Sequence, residues 1–176
     1  MVSEKDRLNN RTWTKDNYLI STDPSRIPIS RLNTIFASDT IYWANPLPES
    51  VARETLENSL CFGLYDTPPN TPSTASNFIG FARCITDFTT FVYLTDVYID
   101  PSRQGKGLGA WLIGCVQEAI EAMPHLRRSM LFTSDWARSV PFYETLMGMS
   151  VVECTEGSGG PAIMQRRGPA WPLSLG

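Results

Sequence analysis

The sequence is poor in the side chains that bind metals and build hydrolase triads. It holds a single histidine, His125, and its four cysteines lie more than twenty residues apart. Structural zinc sites need cysteine and histidine at short spacings, and a serine or cysteine triad needs a suitably placed histidine. A metal centre and a hydrolase are therefore not expected. Cys61, Cys84, Cys115 and Cys154 fall in apolar segments and are predicted to be reduced, buried side chains.

Long apolar runs and clusters of positive charge are also missing. No segment approaches the roughly 18 consecutive apolar residues of a membrane-spanning helix, and the polar N-terminus has no apolar signal-peptide centre. The 15 basic residues are outnumbered by 18 acidic ones, which leaves a formal charge of −3. Nucleic-acid binding depends largely on neutralising phosphates, so neither a nucleic-acid nor a membrane partner is expected. A cytoplasmic protein with small or neutral partners is predicted.

The composition favours one globular domain over residues 1–176. Apolar side chains make up 42% of the chain and aromatic ones 11%, and a chain of this length buries roughly 70% of its unfolded surface. Two successive hairpins precede a glycine-rich segment, so the sheet begins antiparallel. The polar stretch 66–77 is predicted to be a flexible hairpin connection, and residues 1–16 show no clear pattern. Periodicity predicts strands at 17–22, 61–65, 78–86, 91–99, 130–133, 149–154 and 162–165, and helices at 28–38, 48–60, 108–123 and 140–146.

The glycine-rich segment joins the strand at 91–99 to the helix at 108–123. Gly105, Gly107 and Gly109 alternate along it, which permits positive φ and removes side chains, so that consecutive backbone N–H groups can point toward one place. At the N-terminus of a helix such a loop binds anions. A plain strand-to-helix turn needs only one glycine. The segment is therefore predicted to hold a pyrophosphate.

Two other phosphate-binding patterns compete for this segment. A Walker loop is excluded because Gly-x-x-x-x-Gly-Lys-Ser/Thr does not occur. A dinucleotide fingerprint does match as Gly105-x-Gly107-x-x-Ala110, with Asp135 after the next strand. That fingerprint normally follows the first strand of a long βαβαβ unit, whereas hairpins precede it here. A dinucleotide-dependent oxidoreductase remains as an alternative.

The segment Gln104-Gly-Lys-Gly-Leu-Gly109 resembles the Gln/Arg-x-x-Gly-x-Gly/Ala signature of the GNAT superfamily of N-acetyltransferases. The order of the predicted elements is similar to the GNAT core from about residue 17 to 167. The resemblance implies an α/β (α+β) fold, with a mixed, mostly antiparallel sheet of six to seven strands flanked by about four helices. It also implies acetyl-CoA as cosubstrate, the amine of a small molecule or peptide as acceptor, and no metal. A homodimer is consistent with the resemblance, which leaves the oligomeric state open.

The resemblance implies that the glycine loop holds the coenzyme pyrophosphate and that the strand before it holds the pantetheine arm. Backbone amides of that strand would also polarise the acetyl carbonyl, as donors to a developing oxyanion. Lys106 would add positive charge near a phosphate. The residues expected to contact acetyl-CoA are Val97, Tyr98, Ile99, Gln104, Gly105, Lys106, Gly107, Leu108, Gly109, Ala110 and Ser134.

The resemblance also supplies a candidate general acid. Phe142-Tyr143-Glu144 looks like the family's Phe-Tyr-Glu element, which makes Tyr143 the expected proton donor to the leaving thiolate. A phenol has a pKa near 10, comparable to the basicity of a thiolate. The sequence departs from the family after Glu144, where one extra residue precedes Gly148 and changes where the helix ends.

A general base is less well specified. Spermidine acetyltransferases, which this segment resembles, place a candidate base where Thr95 stands, so that carboxylate is missing here. Asp96 is the remaining candidate and would act through water. Alternation along the strand places Tyr93, Thr95 and Val97 on one face and Asp96 on the other.

Adjacent aromatic residues are candidates for acceptor binding. Tyr42 and Trp43 lie in the loop between the first two predicted helices, where the family usually closes over the acceptor. Aromatic rings in a polar loop can stack on a substrate or a cation, which indicates an aromatic or cationic acceptor. Tyr93 and Thr95 are expected to contact the acceptor from the strand. A non-catalytic module that only binds acyl-CoA remains an alternative to an enzyme.

Calorimetric titration distinguishes the hypothesis of a coenzyme A-binding acetyltransferase from that of a dinucleotide-dependent oxidoreductase. We expect heat of binding with coenzyme A and none with NAD, because the loop lacks the βαβαβ setting that a dinucleotide site requires. Binding of NAD in preference to coenzyme A would overturn the resemblance and support the oxidoreductase.

Overall fold

The computed structural model of the chain describes residues 2–69, 77–152 and 164. Short 3₁₀ turns at Pro24–Arg26 and Pro101–Arg103 lead into longer elements. The strands are β1 (Thr12–Lys15), β2 (Tyr18–Ser21), β3 (Leu60–Asp66), β4 (Phe78–Thr86), β5 (Phe91–Ile99) and β6 (Arg128–Met130). The helices are α1 (Glu4–Leu8), α2 (Ile29–Phe36), α3 (Glu49–Glu57), α4 (Leu108–Glu121) and α5 (Ser139–Met147).

The strands form a single sheet in the order β1–β2–β3–β4–β5–β6. The four strand pairs from β1 to β5 are antiparallel, whereas β6 is parallel to β5 and pairs with it only between Phe91–Tyr93 and Arg128–Met130. This confirms the predicted mixed, mostly antiparallel sheet. The described residues contain six strands, within the predicted six to seven, and five helices, one more than the predicted four.

Helices cover both faces of the sheet. On one face α4 buries Leu112, Ile113 and Val116 against strand residues that include Phe62 and Leu64. On the other face α2 and α3 pack against a second cluster that includes Phe78 and Phe81. None of the helices in the described ranges is long and apolar enough to cross a bilayer.

The cysteines with described positions are free and buried, as predicted. Burial raises the pKa of the Cys61 and Cys115 thiols to about 12 and raises that of Cys84 further. These thiols are therefore neutral at physiological pH. Cys154 lies outside the described residues, within which no cluster of three histidine, cysteine or acidic side chains is arranged to hold a metal.

The N-terminal residues have more structure than their sequence pattern indicates. Residues 1–16 gave no prediction, yet α1 and β1 lie there. Trp13 explains why β1 is held in place: its ring packs 6.0 Å from that of Phe62, and its Nε1 donates to Glu118 of α4 at 2.9 Å. These contacts are distant in sequence, so local periodicity does not reveal them.

The C-terminal part of the prediction needs two corrections. The strand predicted at 130–133 lies at Arg128–Met130, because pairing with β5 ends at Met130. Residues 149–152 are not in a strand, and the rest of the predicted C-terminal hairpin lies outside the described residues except for Met164. Part of the predicted connection at 66–77, residues 70–76, also lies outside them.

A β-bulge in β5 changes which face its residues occupy. The register runs from Phe81 opposite Tyr98 to Arg83 opposite Thr95, so β5 uses one residue more than β4 over this interval. Asp96 lies in the bulge with φ +53°. The expected alternation is therefore wrong beyond Leu94, because the extra residue places Val97 against the same core cluster as Leu94.

Candidate active site

The loop between β5 and α4 is built around two left-handed glycines. Gly105 has φ +78° and Gly107 has φ +72°, a backbone region that other residues enter only with strain. Gly109 is different, because it already belongs to α4 and a Cβ there would make an ordinary 3.7 Å contact with Ile99. Two of the three alternating glycines are therefore required by backbone conformation.

The loop is fixed at both ends and open in the middle. Gln104 donates from Nε2 to the carbonyl of Ile99 at 3.1 Å, which ties the loop to the end of β5. Trp111 donates to the carbonyl of Gly107 and closes the first turn of α4. The six backbone N–H groups of residues 105–110 have no acceptor within the described residues. Added to the positive end of α4, these donors form a cradle suited to an anion.

The strand before the loop is open along one side. Beyond Tyr93, β5 has no partner strand on its β6 side within the described chain, because β6 ends at Met130. Backbone groups of Val97, Tyr98 and Ile99 therefore have no described strand partner on this open side. The glycine loop follows directly at the end of the same stretch of β5.

Asp96 lies at the centre of a polar network at the bulge. Its side chain is buried, with the residue 7% exposed, and Arg83 Nε donates to its Oδ2 at 2.7 Å. Trp43 Nε1 donates to its Oδ1 at 3.2 Å. Both carboxylate oxygens are therefore engaged, and the negative charge is balanced by Arg83. This geometry favours a positioning role for Asp96 over the water-relayed base.

The loop that carries Tyr42 and Trp43 reaches across to the segment after β6. The Tyr42 hydroxyl lies 3.0 Å from Ser134 Oγ, and the rings of Tyr42 and Trp43 meet edge to face with centroids 5.0 Å apart. Ser134, predicted to contact the coenzyme, contacts Tyr42 in this structure. The four predicted acceptor residues are thus grouped around the bulge, since Tyr93 and Thr95 lie on the same strand as Asp96.

Arg83 and Phe132 belong to this region but were not predicted from the sequence. Arg83 is the one charged residue in the apolar strand β4, and the hairpin register that places it opposite Thr95 is the signal that could have found it. The Phe132 ring lies 5.5 Å from that of Tyr93. Burial, followed by the charge of Asp96, raises the pKa of Tyr93.

Tyr143 lies on α5, half-buried beside Phe142, whose ring centroid is 5.1 Å away. Burial raises the pKa of Tyr143 to about 12, and no residue in the described ranges hydrogen-bonds its hydroxyl. Together with Phe132 and Trp136, Tyr143 lines an open cavity of about 710 Å³. Neither β5 nor the glycine loop lines that cavity, but Phe132 in its lining also contacts Tyr93 of β5, so the cavity adjoins this strand.

Comparison of the sequence with models of known protein families shows to which family the chain belongs. The sequence model of the acetyltransferase (GNAT) family matches residues 31–149, more than half of the chain. The chain belongs to the GNAT acetyltransferase family.

Related proteins agree with this GNAT assignment. A protein of Gibberella zeae, FG08082, whose name assigns it provisionally to the acetyltransferases, is 37% identical over 169 residues, covering 90% of this chain and 94% of its own. A GNAT-family crystal structure from Xanthomonas campestris pv. campestris matches with a TM-score of 0.64 and 27% identity, covering 89% of this chain and 97% of that one. NAA60 of Arabidopsis thaliana, solved with a bisubstrate analogue, shares the fold with a TM-score of 0.56 and 16% identity, over 78% and 84% of the two chains.

A pair of glycine substitutions tests the anion cradle. Gly107→Ala and Gly148→Ala both place a side chain at a left-handed position, with φ +72° and +61° and no atom within 4 Å of the new Cβ. Each should lower the free energy of unfolding by about 1–2 kcal/mol. Only Gly107→Ala should weaken coenzyme A binding, by about tenfold or more, because it disturbs hydrogen bonds to a charged group. Calorimetry measures both affinities, and equal losses in the two variants would contradict the cradle.

A second set of variants tests the buried ion pair. Arg83→Met leaves the Asp96 carboxylate buried without a cation and should lower the free energy of unfolding by about 3–5 kcal/mol. The double variant Arg83→Met with Asp96→Leu removes both charges and should recover most of that loss. Arg53→Met, which breaks the exposed pair with Glu49, is the control and should change little. Urea denaturation gives the three values, and an equal loss in the single and double variants would show that pairing is unimportant.

Proposed function

We propose that this GNAT protein is an acetyl-CoA-dependent N-acetyltransferase that transfers the acetyl group to a primary amine by direct attack in a ternary complex. The observation that carries the proposal is the row of six amides at residues 105–110 that have no acceptor in the described part of the chain, at the end of a strand that no described strand covers on one side. Acetyl-CoA supplies two linked phosphates and a reactive thioester. The cradle fits the phosphates, and the open strand gives the arm between them and the thioester a place to lie.

The residues of the loop and strand hold the cosubstrate in this proposal. Gln104 to Ala110 receive the pyrophosphate, with Lys106 adding positive charge. Val97, Tyr98 and Ile99 offer backbone groups along the open side of β5. Amides there donate to the thioester carbonyl and stabilise the negative charge that develops on its oxygen.

Tyr143 is the proposed proton donor. Burial raises its pKa to about 12, which keeps the hydroxyl protonated throughout the neutral range but makes it a weaker proton donor to the departing thiolate than an ordinary tyrosine. Asp96 acts indirectly in this proposal: paired with Arg83, it holds Trp43 at the bulge and so positions the acceptor loop. The amine itself belongs to a small molecule or a peptide and is acetylated in the cytoplasm. A homodimer stays a prediction.

The two alternatives make different structural and chemical demands. A dinucleotide oxidoreductase needs the loop after the first strand of a parallel βαβ unit, whereas this loop follows the fifth strand of a mostly antiparallel sheet. A module that only binds acyl-CoA needs the cradle but has no use for Tyr143. The behaviour of Tyr143 therefore separates an enzyme from a binding module.

Tyr143→Phe should lower kcat by about a hundredfold while leaving the KM for acetyl-CoA nearly unchanged, because it removes only the transferable proton. Tyr18→Phe, on β2, is a matched control and should have no effect. The raised pKa also predicts that ionisation of Tyr143 reduces kcat only above about pH 11, rather than near pH 10. Thiol release by the two variants across this pH range provides the measurement. Unchanged kcat in Tyr143→Phe would remove Tyr143 from the mechanism.

A further inference from the structure

Four aromatic side chains surround the bulge of β5, and we call them the aromatic collar. Two of them, Tyr42 and Trp43, come from the loop between α2 and α3 and contact each other edge to face. The other two come from β5 and the segment after β6, and their rings also meet edge to face, with centroids 5.5 Å apart. The members of the collar are Tyr42, Trp43, Tyr93 and Phe132.

Polar contacts join these two aromatic pairs into a closed circuit. Trp43 is linked to β5 through its hydrogen bond to Asp96, three residues after Tyr93. Tyr42 is linked to the segment after β6 through Ser134, two residues beyond Phe132. The contacts therefore run from loop to strand to segment and back to the loop. Asp96 lies at the base of this circuit.

The collar is accessible at its rim and closed at its base. Tyr42 is 47% exposed and Phe132 is 58% exposed, although such large apolar side chains are usually covered. Asp96 at the base is only 7% exposed. Thr95 and Asp96 immediately precede Val97, where the open side of β5 is proposed to hold the thioester arm. An amine whose body lies in the collar is therefore next to that side of the strand.

The base of the collar carries no unbalanced charge. Asp96 is the only carboxylate among the residues that these contacts join within the described chain, and Arg83 neutralises it. A second ammonium group, as in a polyamine, finds no free carboxylate there. The carboxylate of an amino acid finds no free cation, because Arg83 is engaged by Asp96 and donates to Ser59 at 3.3 Å.

We propose that the aromatic collar is the acceptor site and that it selects primary monoamines carrying an aromatic or apolar body. The proposal rests on the acetyl transfer proposed above. Ring-to-ring contact and burial of the amine's apolar surface supply the selectivity. In the reaction the amine nitrogen bonds to the acetyl carbon and the carbon–sulfur bond breaks. The neutral amine loses one proton to solvent, the thiolate takes one from Tyr143, and solvent returns a proton to the Tyr143 phenolate.

An amine panel tests this selectivity with the full chain and acetyl-CoA. The probes are 2-phenylethylamine, n-hexylamine, putrescine, spermidine, glycine and a short peptide with a free N-terminus, and release of free thiol is the readout. We expect kcat/KM for 2-phenylethylamine to exceed that for putrescine and glycine by at least about tenfold, the scale of discrimination by an apolar pocket. An equal or greater kcat/KM for a polyamine, an amino acid or the peptide would overturn the proposal.

A substitution at Phe132, an exposed member of the collar, tests whether the collar is the source of the preference for aromatic amines. Phe132→Leu keeps apolar bulk but removes the ring, and the ratio of kcat/KM for 2-phenylethylamine to that for n-hexylamine should fall about two- to tenfold. Phe91→Leu changes an exposed ring outside the collar on the same strand and should leave the ratio unchanged. The KM for acetyl-CoA should be the same in both variants. An unchanged ratio in Phe132→Leu would overturn the collar as the selecting element.

Calorimetry separates failure of this inference from failure of the proposed function. The amines are titrated into the chain saturated with coenzyme A, where no reaction occurs. Preferential binding of 2-phenylethylamine with no thiol release from acetyl-CoA would overturn the transferase and keep the collar as a binding site. Turnover of putrescine or the peptide in preference would keep the transferase and overturn the collar. Absence of amine binding and of thiol release would overturn both.

Discussion

The bulge in β5, fixed by the buried pair between Arg83 and Asp96, is the constraint on which the site depends. One extra residue in this strand turns Asp96 away from the α4 face and toward Arg83 on the neighbouring strand. The cost of burying a carboxylate is met by a cation and a second donor from Trp43. Because Trp43 comes from a loop distant in sequence, the same carboxylate sets both the path of the strand and the position of the loop.

The glycine loop depends on the same strand at its far end. Gln104 binds the last carbonyl of β5, and the left-handed Gly105 and Gly107 then turn the chain into α4. A helix N-terminus always leaves some amides without partners, and here the preceding turn adds more of them in sequence. Strand, turn and helix thus expose backbone donors rather than side chains, so an anion bound here would be held mainly by backbone amides.

The sequence pattern correctly predicted those strands and helices that are determined by residues close together in sequence. β4 and β5 have the predicted bounds because each is a nearly continuous run of apolar residues, and α4 follows from an apolar face beside a glycine turn. The predicted site residues Tyr42, Trp43, Tyr93 and Thr95 are close together in space. The bulge was not predictable, since it depends on the register between two strands. Likewise β1 depends on Trp13 reaching Phe62 and Glu118, and α1 on Arg7 reaching the carbonyl of Ala122, contacts that no short window of sequence contains.

The buried cysteines have a consequence for chemistry that generates a thiol. A thiolate, not a thiol, attacks thioesters and disulfides. Cys61, Cys84 and Cys115 are enclosed and remain protonated at physiological pH because burial raises their pKa values. They are therefore poor nucleophiles toward thioesters and disulfides. The three cysteines in the described part of the chain therefore take no part in thiol or thioester reactions at the protein surface.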